Sequence, residues 1–385
     1  MHASQTIDLA FNGVALLKPL TGIGNYTAQL AQRMSTASGL QTRFFYGTHW
    51  SRQVHAQAAP AVHKLLPWIR NNIPRSYDIR QWVQTRRFRA GTPKGAFDLY
   101  HEPNNVPLPF DGPLVLTVHD LSWIRYPHMH PAERVKAMDR YFESGLRRAT
   151  RVITDSKFVK QELIDVFGLS PEKIHPVTLG ADAQFTPQTP EQTQITLSRY
   201  QLQHGQYLLA VGTLEPRKNL QLALQAFMAM PRSLRQRHPL VLVGMTGWRA
   251  TPLQAQLTPL LAAGEVRQLG YVAPNELAHI MAAACALVYP SVYEGFGLPP
   301  LEAMSCGVPV IASNASSIPE VVGDTGILLA PQDLRGLTEA MTTLTSAPEI
   351  RANMSERALK RSQNFSWDQC ADQTRHVYQQ ALGRS

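Results

Sequence analysis

Along nearly the whole chain, short apolar runs rich in Val, Ile and Leu alternate with longer stretches whose apolar residues recur every three or four positions. An apolar run of four or five residues without polar alternation suits a strand covered on both faces, and the 3.6-residue period between runs suits the covering helices. The pattern predicts strands at 7–14, 43–46, 99–101, 114–118 and 151–154. A second series follows at 207–211, 240–243, 266–269, 286–289 and 308–312. Strand and helix in alternation imply βαβ units and parallel sheets, an α/β fold. Between the two series, 185–204 is dense in Thr, Pro and Gln and reads as a linker with an irregular lead-in. Two doubly wound lobes joined by a hinge are therefore expected, 1–185 and 186–365. Helical patterns at 349–362 and 366–382 close the chain, broken at 364–365. The last helix either caps its own lobe or returns to the first one.

Composition narrows the class without changing the fold. The 385 residues are 44% hydrophobic and 17% charged, enough chain and apolar content for two cores and too ordinary for disorder. Cys285, Cys306 and Cys370 are too few and too scattered for a disulfide framework or a metal site, so a reducing compartment is expected. The opening MHASQTIDLAFNG lacks a basic segment followed by an apolar one, and no run of about 18 apolar residues occurs, so neither a signal peptide nor a membrane span is expected.

Charge points to an anionic partner. Lys and Arg number 37 against 28 Asp and Glu, a net +9. The window 51–95 holds nine basic residues against the single acid Asp78, so it carries +8 of that total. Its interleaved Leu65, Leu66, Trp68, Ile69, Trp82, Val83 and Phe88 suit an anionic lipid interface; the alternative is a solvated helical insertion whose Arg stems cover apolar surface. No nucleic-acid motif accompanies the charge, and a nucleic-acid partner is not expected.

Three stretches carry candidate chemistry. Ser291-Val-Tyr-Glu-Gly-Phe-Gly-Leu-Pro-Pro-Leu-Glu begins where the strand 286–289 ends, the edge at which open α/β sheets bind ligands. Gly295 and Gly297 leave amides that an anion can approach, and the following helix adds its N-terminal partial charge. Glu294 and Glu302 are placed to bracket a ligand rich in hydroxyls; a glutamate in the first helical turn taken alone is more often a dipole partner, and it is both glycines and both glutamates together after a buried strand that favour the ligand. Val211-Gly-Thr-Leu-Glu-Pro-Arg-Lys-Asn-Leu follows another strand and puts Arg217 and Lys218 at the same edge, where two cations can neutralise a diphosphate. In the first lobe, Thr21-Gly-Ile-Gly-Asn-Tyr offers Gly22 and Gly24 to a phosphate, and Thr117-Val-His119-Asp120 ends a strand with an imidazole. A strand-end histidine is also a common structural residue. His101 and Glu102 end a neighbouring strand and are candidates for the acceptor side. With no Asp-x-Asp, positive charge must come from helix ends, glycine loops and the Arg217–Lys218 pair.

These residues resemble the retaining nucleotide-sugar glycosyltransferases of family 4, which have the GT-B fold of two Rossmann-like lobes facing a central cleft. The most specific pieces are Gly-Thr-Leu-Glu-Pro-Arg-Lys-Asn at 212–219 and Glu-Gly-Phe-Gly-Leu-Pro-x-Leu-Glu-Ala-Met at 294–304. Within the family the chain is most similar to bacterial mannosyl- and rhamnosyltransferases of surface polysaccharide (O-antigen) synthesis. The resemblance implies that Glu294 holds donor-sugar hydroxyls, Glu302 the ribose, and Arg217 with Lys218 the diphosphate. It places the amides of Phe296, Gly297 and Leu298 against sugar and diphosphate and Tyr271-Val272 beside the base. His119, Gly22 and Gly24 would approach from the first lobe, to which the helix at 366–385 would cross back. Many members carry Arg immediately after the first glycine of the diphosphate motif, where this chain has Thr213. A metal-independent hexosyltransferase without a cofactor is implied, moving mannose or a deoxyhexose from a GDP-sugar, or else using a UDP-sugar, onto a lipid-linked or polysaccharide glycan acceptor. It would sit peripherally on the inner face of the cytoplasmic membrane. An epimerase or phosphorylase of the same shape is the competing enzyme, and a non-catalytic nucleotide-sugar binder the competing class.

Overall fold

The computed structural model describes residues 6–17, 22–55, 76–245 and 251–384. They divide into two units: Met1–Leu121, Lys136–Leu179 and Trp367–Ser385 in the first, Ser122–Val135 and Gly180–Ser366 in the second. The first unit thus ends a few residues before the expected linker, and the short segment after β5 groups with the second.

In the first unit, β1 (Ile7–Asn12), β2 (Leu40–Phe45), β3 (Trp50–Ser51), β4 (Leu99–Glu102), β5 (Leu114–Val118), β6 (Arg151–Thr154) and β7 (Ile174–Pro176) form one sheet. Its order is β3-β2-β1-β4-β5-β6-β7, parallel except where β2 meets β3. In the second, β8 (Leu208–Val211), β9 (Leu240–Val243), β10 (Val266–Gly270), β11 (Ala286–Tyr289), β12 (Val310–Ser313) and β13 (Ile327–Leu329) are ordered β10-β9-β8-β11-β12-β13, all parallel. Both are Rossmann-like sheets, and strand order reverses between β1 and β4 in one and between β8 and β11 in the other. Such a reversal leaves a crevice at the carboxyl ends of the strands.

The central strands are buried because helices cover both faces: every residue of β5, β9 and β11 is buried. In the second unit Leu224, Phe227, Leu242, Val288, Ile311 and Met341 join one core cluster. The connecting helices begin and end by local chemistry. The Ser156 hydroxyl accepts the Val159 amide at the start of Lys157–Phe167, and Gly168 closes that helix at φ 62°.

Several expected boundaries shift. The strand expected at 7–14 stops at Asn12, and Val14–Leu17 turns into a 3-10 helix. The strand expected at 308–312 starts at Val310, because Pro309 has no N–H and only its carbonyl bonds to the Leu287 amide. The supposed linker at 185–204 contains the helix Pro190–Arg199, nucleated by a reciprocal cap between Thr189 and Gln192. Thr-Pro-Glu-Gln was the sequence signal for it. β3, β7 and β13 are only two or three residues long, too short for any period to register.

The helix Trp367–Ala381 belongs to the first unit. The Tyr378 hydroxyl lies 2.6 Å from His101 Nδ1, and Arg33 meets Asp368 at 2.6 Å. Among the described residues no helix is long and apolar enough to cross a membrane. Residues 56–75 of the basic window, with Lys64, Leu65, Leu66, Trp68, Ile69, Arg70 and Arg75, lie outside the described residues, as does Thr21. The window's described part includes the helix Ser76–Gly91, on which Trp82 is 61% exposed.

Candidate functional site

Residues after β8 and after β11 meet at the strand-order reversal of the second unit. A 3-10 turn, Pro216–Lys218, follows β8 and presents Arg217 and Lys218; the loop after β11 presents Glu294. Arg217 Nη1 donates to Glu294 Oε2 at 2.7 Å and Lys218 Nζ to Glu294 Oε1 at 2.7 Å. Two residues that the sequence reading missed complete the group. Glu215 accepts from Arg217 Nη2 at 2.7 Å, and the Tyr289 hydroxyl lies 2.7 Å from Lys218 Nζ and 2.9 Å from Glu294 Oε1. Tyr289 is the last residue of a buried strand, so the placement rule that selected Glu294 applied to it equally.

Cations and carboxylate, expected to serve a diphosphate and a sugar respectively, stand within hydrogen-bond reach of each other in this structure. Arg217 and Lys218 are bonded to the carboxylates of Glu215 and Glu294. Burial by itself would raise the Glu294 carboxyl, but Arg217 and then Lys218 outweigh it and hold it down at about 2. Burial lowers the Lys218 ammonium, a tendency that Glu294 opposes.

Beyond Glu294 the chain is set up for an anion. Gly297, at φ 117°, caps the helix Leu298–Ser305, and a Cβ there would lie 2.8 Å from Ile318 Cδ1. The Ser317 hydroxyl donates to the carbonyls of Glu294 and Phe296 at 2.9 and 2.8 Å. The amides of Phe296, Gly297 and Leu298 meet no acceptor among the described residues, while Pro299 and Pro300 have none to offer. Three neighbouring donors at a helix N-terminus can take phosphate oxygens.

Glu302 is buried in that same helix, and among the described residues its carboxyl has no hydrogen-bond partner. Burial, and then the charge of Asp182, push it up to about 8, so it is protonated at neutral pH. A group left in that condition gains from hydroxyl donors. Tyr271 is half exposed and Val272 buried just beyond β10.

The first-lobe candidates lie in the other unit. Gly22 opens the helix Gly22–Thr36 and Gly24 is buried within it. His119 follows β5 but is not open to a ligand in this structure: it is buried, with Nδ1 2.8 Å from Asp155 Oδ2 and Nε2 2.8 Å from the Pro103 carbonyl. His101 is buried too, its Nε2 2.9 Å from Thr117 Oγ1, and burial lowers it to about 3. Glu102 accepts from Asn12 and Tyr100, and burial raises it to about 8. Neither lines a surface in this structure.

Comparison with known proteins identifies the family and the fold. Residues 20–185 match the family model Glycosyltransferase Family 4, and 199–361 match Glycosyl transferases group 1. The chain is 34% identical over 368 residues to the O-antigen chain mannosyltransferase B of Escherichia coli, covering 94% of this chain and 96% of the relative. Among solved structures it resembles the sucrose-phosphate synthase of Thermosynechococcus elongatus (TM-score 0.78, 20% identity, 98% of this chain and 100% of that one). It also resembles Anabaena HepE in complex with UDP-glucose (TM-score 0.71, 19% identity, 97% and 100%). These likenesses identify the fold as GT-B.

Proposed function

Since the chain belongs to family 4 of the glycosyltransferases, we propose that it is a retaining, metal-independent mannosyltransferase that draws on a GDP-linked donor to extend a glycan. The carrying observation is the Arg217–Lys218–Glu294 cluster beside the open amides of Phe296, Gly297 and Leu298. An arriving diphosphate competes with Glu294 for the two cations and takes the amides. The released carboxylate then accepts from sugar hydroxyls, and Glu302 accepts from the ribose. In this reading Thr213 leaves Arg217 and Lys218 as the cations of the diphosphate motif, and Tyr271 with Val272 borders the base.

The reaction breaks the bond between the anomeric carbon and the β-phosphate oxygen, and the electron pair leaves with the phosphate. Positive charge on the sugar is met by negative charge on a leaving group already held by fixed donors, which is where such a site lowers the barrier. An acceptor hydroxyl bonds from the face the phosphate leaves, and its proton passes to the phosphate oxygen. The anomeric configuration is retained.

Mannose is favoured by the name of the E. coli relative, and a nucleotide sugar by the UDP-glucose in HepE. The test incubates the protein and a lipid-linked oligosaccharide with GDP-mannose, a GDP-deoxyhexose or UDP-glucose, with and without EDTA. An α-mannosyl product from GDP-mannose, unaffected by EDTA, is expected. Transfer from UDP-glucose alone overturns the donor assignment, and product from donor without acceptor means an epimerase or phosphorylase.

The acceptor's lipid carrier places the enzyme on the inner face of the cytoplasmic membrane. Trp82, exposed with the Arg86 guanidinium 5.7 Å from its ring, and the exposed Arg87 and Arg89 suit an anionic headgroup layer. Flotation with anionic liposomes should fall when the three arginines are neutralised; equal flotation defeats the membrane assignment.

A further inference from the structure

The turn that carries Arg217 and Lys218 is tied to the loop that carries Glu294 by bonds outside the ion-pair cluster. Asn219 ends the 3-10 turn, its N–H donating to the Pro216 carbonyl at 3.0 Å, and opens the helix Leu220–Ala229, its carbonyl accepting the Leu222 amide at 3.1 Å. The junction needs a left-handed residue, φ 54° and ψ 34°, which asparagine adopts more readily than most residues with a Cβ. An asparagine in this place ordinarily turns its side chain to an amide in the first turn of its own helix. Here it makes no such bond.

Asn219 Nδ2 donates instead to two carbonyls, Pro290 at 3.1 Å and Pro331 at 2.8 Å. A carbonyl only accepts, so the two partners fix which end of the amide is nitrogen and use both of its hydrogens. Pro290 directly follows β11, the neighbour of β8, while Pro331 lies just beyond β13, which is separated from β8 by β11 and β12. Between the first two of these segments, the Val292 amide donates to the Arg217 carbonyl at 2.9 Å. Residues 217 and 219 are thus joined to 292 and 290 by one bond in each direction. Lys218 sits between these rungs, and Glu294 follows shortly after Val292.

We propose that Asn219 is a positioning residue of the donor site: its amide clasps the Arg217–Lys218 turn to the Glu294 loop, so that the cations keep their spacing when a diphosphate takes them from Glu294. This rests on the reading that a diphosphate binds there. The ion pairs cannot hold the turn through that step, because they are the bonds the ligand replaces. Arg217 also donates to the Tyr293 carbonyl at 2.7 Å, but through Nη1, the same nitrogen that meets Glu294. The Asn219 bonds join neutral groups, which a diphosphate does not draw apart as it does an ion pair. Groups held at a fixed spacing before the ligand arrives need no reordering as it binds.

The test measures hydrogen exchange at the Val292 amide and calorimetric GDP binding in wild type, Asn219→Gly, Glu294→Gln and the variant with both changes. Glycine keeps the left-handed backbone and removes both donor bonds. Glu294→Gln removes the charge that the ligand displaces. Val292 should stay protected in Glu294→Gln and exchange at least about tenfold faster in Asn219→Gly, the scale of one hydrogen bond lost from a local opening. With both changes it should exchange faster again, while Leu287 and Val288 in β11 keep their wild-type rates. GDP should bind Asn219→Gly about tenfold more weakly than wild type. Asn219→Asp, of the same shape but with no donor, should fail as the glycine variant does.

A glycine or aspartate variant with wild-type exchange and affinity overturns the proposal and leaves Asn219 its backbone role alone. So does opening of Val292 in Glu294→Gln by itself, which gives the holding role to the ion pairs. Faster exchange spread equally over Leu287 and Val288 marks a general loss of stability and overturns it too. If neither GDP nor UDP binds wild type, the diphosphate reading fails, and exchange at Val292 still decides the clasp.

Discussion

Lys218 and Glu294, 76 residues apart in sequence, bond to each other across 2.7 Å at the carboxyl ends of β8 and β11. Arg217 holds the other oxygen of the same carboxylate at the same distance. The pair lies where strand order reverses, so a ligand that takes the two cations enters by exchange with Glu294. Breaking a buried pair by removing one partner destabilises through the charge left behind.

Glu294→Gln should therefore cost about 1–3 kcal/mol in denaturant unfolding, less than a fully orphaned ion because Glu215 still pairs with Arg217. GDP brings back the missing negative charge. It should raise the melting temperature of the variant by more than that of wild type, although transfer falls by at least about 100-fold, the scale of losing a transition-state contact. An equal GDP shift in both proteins counts against the exchange.

Gly244, just beyond β9, has φ +146°, and a Cβ there would overlap the Gly212 carbonyl. Gly212 in turn leaves only 3.1 Å between a built Cβ and Lys218 Cε. Gly244→Ala is expected to lose at least about 2 kcal/mol of stability from strain and overlap. GDP affinity should fall with it, because the loop that carries Lys218 is displaced. Unchanged melting and affinity would show that the two loops yield freely.

Stability should peak in mildly acid solution. Glu294, lowered to about 2, contributes stability that is present above its ordinary 4.5 and is lost as pH falls toward 2. Glu102 and Glu302, raised to about 8, have the opposite sign: the folded chain keeps protons that the unfolded chain releases from about 4.5 upward, so stability declines until about pH 8. Glu302→Gln should flatten the decline, raising the melting temperature at pH 8 by about 2–4 °C for each kcal/mol recovered. A wild-type melting curve that improves from pH 5 to 8 contradicts these assignments.

In the first unit, Tyr378→Phe removes the hydroxyl that lies 2.6 Å from His101 Nδ1 and leaves the ring in place. A loss of about 1 kcal/mol is expected, larger if no water reaches the buried nitrogen. No change would mean that the terminal helix is held by its apolar face alone.

Much of this was legible in the sequence because parallel strands buried on both faces announce themselves as apolar runs, as in Leu114–Val118 and Leu240–Val243. The short strand Trp50–Ser51 was not, since two residues carry no period. At the site, the position of Glu294, Arg217 and Lys218 after strands could be read from spacing. Their bonds to one another could not, because pairing depends on which strands are neighbours, and β8 meets β11 only through the fold. The same holds for Asp155, in view as Thr-Asp-Ser before a helix but joined to His119 only once β6 lies beside β5. Helix Pro190–Arg199 is different: its capping signal was present and composition obscured it.

The central claim, that the edge of β8 and β11 holds a nucleoside diphosphate, is tested most directly by calorimetric titration of GDP into wild type and Lys218→Ala. The expected result is binding to wild type and at least about tenfold weaker binding to the variant, a loss of about 1.4 kcal/mol or more. Equal affinity in the two proteins would contradict the account.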